Sequence, residues 1–72
     1  MNVYKRLKDL REDSDKSQRE IAKIIGTSQS YYAQYENGKR AIPFDRAVIL
    51  AKYYNVSLDY LAGLIDIPRR LK

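Results

Sequence analysis

The sequence predicts an all-α fold, a compact five-helix domain. Three observations carry this. Apolar residues recur at i, i+3, i+4 and i+7, the spacing that lines one face of a helix; most of these runs open on Ser, Asn or Pro and several close on Asn or Gly; and the links are only a few residues long, with no alternating apolar and polar run to suggest a strand. At 72 residues the chain is near the size where a core is only just sufficient, and short helices with tight connections use it economically. Cysteine is absent. Neither a disulfide framework nor a thiolate metal site can therefore stiffen the fold, which has to rest on apolar packing.

Val3, Leu7 and Leu10 line the first helix, with Asn2 as its cap. The polar stretch "EDSDKS" interrupts the pattern, and Ser17-Gln18-Arg19-Glu20 has the form of a capping box opening the second helix, whose buried stripe is Ile21, Ile24 and Ile25. Gly26-Thr27 stops that helix, because glycine reaches the left-handed backbone cheaply, and Ser28 caps the third two positions later. Asn37-Gly38 ends the third helix. The fourth starts near Pro43, where a missing amide hydrogen is harmless, and its stripe is Phe44, Ala47, Val48, Ala51 and Tyr54. Asn55 ends it, Ser57 caps a short fifth helix through Leu58 and Leu61, and Gly63 lies near its end. The link between helices two and three leaves no room for an antiparallel hairpin, so the pair is expected to cross steeply as a helix-turn-helix.

The third helix, "SQSYYAQYENGKR" with its exit, separates on a helical wheel. At about 100° per residue, Gln29, Ser30, Ala33, Gln34 and Asn37 fall within an arc of about 140°, and Tyr31, Tyr32 and Tyr35 take about 100° of the other side. The tyrosines are expected inward, supplying the buried area a small domain lacks. The opposite face keeps carboxamides, a hydroxyl and a methyl. Such groups suit base edges in the DNA major groove, where Gln can donate to and accept from adenine and Ala can touch the thymine methyl. The same residues are also common on any solvated helix face.

Fourteen Lys and Arg against nine Asp and Glu give a formal charge of +5, which favours an anionic partner. Three of those bases lie in "RRLK" at residues 69–72, so residues 1–68 hold eleven bases against nine acids, nearly balanced. The chain divides into a domain at 1–67 and a basic tail at 68–72. It shows no apolar signal core and no run near the roughly 20 apolar residues that span a bilayer, and reads as cytoplasmic with no membrane role.

The stretch "SQREIAKIIGTSQSYYAQYENGKRAIPFDRAVILAKYYNVSLDYLAGL" resembles the lambda-repressor-like helix-turn-helix family, which includes Cro, phage repressors and XRE-type bacterial regulators. Gln18, Ala22, Gly26, Glu36-Asn37-Gly38 and "NVSLDYL" sit at that family's spacing. The resemblance covers roughly residues 3–65. It implies a lambda-repressor-like fold and a sequence-specific regulator of transcription, a repressor, that binds double-stranded DNA with the helix at about 28–37 in the major groove. By the same resemblance, Gln29, Ser30, Ala33 and Gln34 contact bases. Gln18, Asn37, Lys39 and Arg40 contact phosphates, and Arg11 forms a structural salt bridge with Glu36. Tyr31 stands where the family has a small polar residue; its hydroxyl either bonds a phosphate or its ring obstructs the approach, and the reading adopts the contact.

Other classes fit less well. An enzyme is disfavoured by the absence of histidine and cysteine, of a glycine-rich phosphate loop, and of carboxylates arranged for acid–base work; Asp13 and Asp15 merely flank Ser14 in a loop. No metal set, cofactor or small-molecule ligand is indicated. The rival is an antitoxin-like module whose main role is protein interaction, suggested by the apolar end Leu64, Ile65 and Ile67 before Pro68. Either Leu64 completes the core and the rest frays, or the tail pairs with a second copy. Such a homodimer would set two recognition helices about 34 Å apart on a palindromic operator.

Overall fold

A computed structural model describes residues 3–62, with side chains from residue 5 onward. Five helices follow one another: α1 (Val3–Asp13), α2 (Gln18–Ile24), α3 (Gln29–Asn37), α4 (Phe44–Tyr54) and α5 (Leu58–Leu61). The Asn2 cap, the Val3 side chain, Gly63, the apolar residues Leu64, Ile65 and Ile67, and the basic tail lie outside the described residues.

Each helix end has a local cause. The Ser17 hydroxyl accepts from the Glu20 amide while the Glu20 carboxylate accepts from the Ser17 amide, completing the expected capping box. Ser28 caps α3 through the Tyr31 amide and Ser57 caps α5 through the Tyr60 amide. Gly26 (φ +76°) turns the chain between α2 and α3, and nothing lies within 4 Å of where its Cβ would be, so the glycine serves backbone conformation rather than space. Asn55 ends α4 in the left-handed region at φ 57°. Pro43 is the extended residue just before α4, so the helix begins one position later than the proline.

The core gathers Leu7, Ile21, Ala22, Ile25, Tyr32, Tyr35, Leu50, Ala51 and Leu61, with Leu10, Ile42, Ala47, Tyr54 and Leu58 packed against it. Three expectations require correction. Ile24 is exposed because the buried arc of α2 is centred on Ile21, Ala22 and Ile25, leaving Ile24 about 100° away. Phe44 is 74% exposed, because α4 is rotated about its axis to present Leu50, which the sequence reading overlooked. Tyr31 is 42% exposed rather than inward, since the buried side of α3 is centred between Tyr32 and Tyr35 with Glu36 beside them. Tyr32 and Tyr35 do face inward, and their rings meet edge to face at 6.3 Å.

Helices α2 and α3 make the most extensive helix–helix contact, α1 backs α3, and α5 closes the other end against α4 and α1. Arg6 on α1 ties to α5 by donating to the Tyr60 carbonyl at 3.0 Å with its guanidinium over the Tyr60 ring. Among the described residues no helix is long and apolar enough to cross a membrane.

Candidate functional site

The outer side of α3 is the distinctive surface. Gln29, Ser30 and Asn37 are exposed, and Ala33 and Gln34 are partly so, on the side opposite Tyr32 and Tyr35. The five small polar or methyl-bearing residues of the wheel therefore share one accessible face. Tyr31 joins its edge.

What holds α3 in place lies behind that face. Arg11 on α1 donates through Nε to Glu36 Oε2 at 2.7 Å and through Nη2 to Glu36 Oε1 at 3.1 Å, a two-pronged grip, while its Nη1 donates to the Lys16 carbonyl at 3.0 Å. Both charges are nearly out of solvent: the side chains are 13% and 2% exposed. Gln18 enters the same cluster, its Nε2 donating to Glu36 Oε1 at 3.1 Å. Burial works to raise the Glu36 pKa, but hydrogen bonding from Arg11, with help from Tyr32 and Gln18, outweighs it and holds the carboxyl below its ordinary value. The hydrogen bond from Arg11 to Glu36 likewise raises the guanidinium pKa, against the effect of burial. The buried Tyr32 hydroxyl has no well-aligned partner, yet lies near enough to the carboxylate to favour its charge.

The helix-turn-helix corner has its own clamp. Arg46 on α4 donates from Nε to the Ile25 carbonyl at 3.3 Å, from Nη1 to the Tyr35 hydroxyl at 3.0 Å and from Nη2 to the Gly26 carbonyl at 3.5 Å. A cation there also suits the negative end of α2. Sequence reasoning missed Arg46. The contact spans 20 residues and follows no local spacing, so nothing in the sequence singles this residue out.

Beyond α3 the chain turns back on it. Gly38 adopts φ 77° and donates to the Gln34 and Tyr35 carbonyls, and the Lys39 and Arg40 amides also close on the Gln34 carbonyl, at 3.0 and 3.3 Å. Lys39 and Arg40 are thereby set at the end of the exposed face, next to Asn37. The Arg40 guanidinium lies 4.6 Å above the Tyr31 ring centroid and its Nε donates to Gln34 Oε1 at 3.2 Å. Gln29, Ser30, Tyr31, Ala33, Gln34, Asn37, Lys39 and Arg40 are thus gathered on or beside one helix. Gln18 sits apart, at the first position of α2 and half-buried against Glu36.

Among the described residues no cluster of His, Cys, Asp or Glu has the arrangement of a metal site. A largely apolar groove that takes no lining residue from α3 is formed by Ile42, Phe44, Ala47, Leu58, Asp59, Leu61 and Ala62.

Comparison with known proteins places this geometry. A helix-turn-helix family model matches residues 7–61. The chain is 41% identical over 63 residues to YobD of Bacillus subtilis, an uncharacterised HTH-type transcriptional regulator, covering 88% of this chain and 56% of that protein. It is 34% identical over 58 residues to RstR, the cryptic phage CTXphi transcriptional repressor of Vibrio cholerae, covering 81% and 52%. It is also 34% identical over 61 residues to the antitoxin PezA of Streptococcus pneumoniae, covering 85% and 39%. The chain spans about half the length, or less, of these relatives. With five helices among the described residues, a turn at Gly26 and a family match that takes in most of α1 and all of α2 to α5, the chain belongs to the XRE-type helix-turn-helix family and has the lambda-repressor-like fold.

Proposed function

We propose that this chain is a DNA-binding regulator of transcription that acts by occupying operator DNA, with α3 in the major groove and no chemistry of its own. The observation that carries the reading is the accessible carboxamide face of α3, braced from behind by buried Tyr32, Tyr35 and the Arg11–Glu36 pair. Similarity to the transcriptional regulator YobD and to the repressor RstR supports it, and the latter supports repression.

In this reading Gln29, Ser30, Ala33 and Gln34 meet base edges, while Gln18, Tyr31, Asn37, Lys39 and Arg40 meet phosphates and fix the docking register. The exposure of Tyr31 supports a phosphate contact by its hydroxyl. A function in the cytoplasm follows from binding DNA. A homodimer on a palindromic operator is part of the proposal, and the exposed Phe44 lining the apolar groove supports a self-association surface.

Selection of bound fragments from a random duplex library tests the whole reading. Enrichment of a consensus is the expected result, and its two-fold symmetry would report the dimer. Binding with no enrichment over random sequence would overturn it. The match to PezA favours a second reading, a module whose main role is to bind a protein. A heterologous partner retained on the immobilised chain in nuclease-treated extract, together with no duplex consensus, would select that reading instead.

A further inference from the structure

The bond between Arg40 and Gln34 joins a residue assigned to phosphate with one assigned to bases, and it has a chemical consequence for recognition. A guanidinium carries donors only, so the atom of the Gln34 carboxamide that faces Arg40 must be the oxygen, whichever way the amide would otherwise turn. Arg40 is itself held, its plane over the Tyr31 ring and its backbone amide on the Gln34 carbonyl. With Oε1 engaged, the free end of Gln34 is its NH2; no group among the described residues accepts from Nε2.

Resting on the DNA-binding reading above, we infer that Arg40, seated on Tyr31, sets the base specificity of Gln34 by turning it into a donor, so that it selects guanine over adenine. Guanine presents two acceptors, N7 and O6, in the major groove. Adenine presents N7 beside an amino donor, and needs a glutamine that offers its oxygen as well as its nitrogen. A free glutamine on this face would take adenine; a glutamine whose oxygen is turned to Arg40 presents its NH2 to the base edge instead, and the adenine amino group then faces another donor. Tyr31 and Arg40 are then specificity-positioning residues that touch no base themselves.

The test compares consensus sequences selected from a random duplex library by the wild-type chain, Gln34→Ala and Arg40→Ala, after thermal unfolding has confirmed that all three fold. Gln34→Ala should erase the preference at one position. There the wild type should prefer guanine over adenine on the order of tenfold, and Arg40→Ala should bind adenine at least as well as guanine. If Arg40→Ala weakens every sequence but keeps the wild-type base ranking at that position, or if the wild type prefers adenine there, the inference fails while the DNA-binding reading stands. If Gln34→Ala erases no position, the base-reading role fails too. A readout without DNA is the 15N relaxation of side-chain amides in the free protein. The Gln34 NH2 should be more ordered than that of Gln29 in the wild type and equally mobile in Arg40→Ala. Equal mobility of the two in the wild type would overturn the inference.

Discussion

Two of the arginines that grip oxygens on α3, Arg11 and Arg40, each have a tyrosine beside them, and they do opposite things. Arg11 reaches Glu36 from α1 through two donors, at 2.7 and 3.1 Å, beside Tyr32, with both side chains nearly out of solvent. Arg40 reaches Gln34 from beyond the helix end through one donor at 3.2 Å, in the open, over Tyr31. In a poorly polarisable interior a guanidinium needs a full opposing charge and most of its hydrogen bonds, so the first pair is committed to the fold. At the surface water serves the remaining donors. A neutral amide is then partner enough, and the pair stays available to a ligand. Residue type is shared between the two sites; burial separates a brace from a proposed reader.

The largest way to break that contrast is to remove one buried charge. Glu36→Ala leaves Arg11 unpaired and should cost about 3–5 kcal/mol in urea unfolding, a large share of what a domain this small possesses. Affinity for DNA per folded molecule should remain near wild type. A variant that stayed fully stable yet lost binding would place Glu36 at the interface instead.

The same pair predicts acid sensitivity. The folded-state pKa of Glu36 lies below its ordinary value of 4.5. The unfolded chain therefore takes up the proton first as pH falls, so the stabilisation is complete above that value and disappears as pH drops through the lower folded-state pKa. The urea midpoint of the wild type should fall across that window, and Glu36→Gln should show a shallower acid limb. Equal limbs would mean that other carboxyls govern acid unfolding.

On the exposed side the expected effects are on binding. Gln34→Ala should cost about 1–3 kcal/mol on the best duplex and relax one or two base pairs, with urea stability nearly unchanged. Lys39→Ala should weaken all sequences alike and reduce the slope of log affinity against log salt by about one. Lys39 is the cleaner phosphate probe, because Arg40 is bonded to Gln34 and its removal disturbs both roles. Identical specificity profiles for Gln34→Ala and Lys39→Ala would dissolve the separation between reading and docking.

Helix boundaries were legible in the sequence because caps are local: Ser17, Ser28, Ser57, Gly38 and Asn55 each act on residues within a turn. Facing was legible only to within a fraction of a turn. Tyr31 and Phe44 each lie at the margin of an apolar arc, and whether a margin is covered depends on which neighbour packs there, not on the helix itself. Long-range polar contacts were harder still. Arg11 with Glu36 came from family resemblance, whereas Arg46 on the α2 end and Gln18 on Glu36 had no signal in spacing. The Arg40–Gln34 bond was equally hidden, since the backbone reversal at Gly38 is what brings the two side chains together.

The smallest expected effect sharpens the comparison at its buried end. Tyr32 and Tyr54 bury hydroxyls that make no aligned hydrogen bond among the described residues. Burial, and for Tyr32 the adjacent Glu36 carboxylate, disfavours their ionised forms: the Tyr54 phenol is pushed up to about 12 and that of Tyr32 higher still, from an ordinary value of 10. The unfolded chain therefore loses these protons first, and stability should decline as pH rises above 10. Tyr32→Phe deletes an oxygen that only assists Glu36, so at neutral pH it should cost no more than about 1 kcal/mol. In alkali the same variant should decline more gently than the wild type, because one phenol no longer has to be kept neutral in the fold. A steep decline retained by Tyr32→Phe would show that the ring is not sealed behind α3, and the distinction between a dry brace and a wet reader would lose its basis.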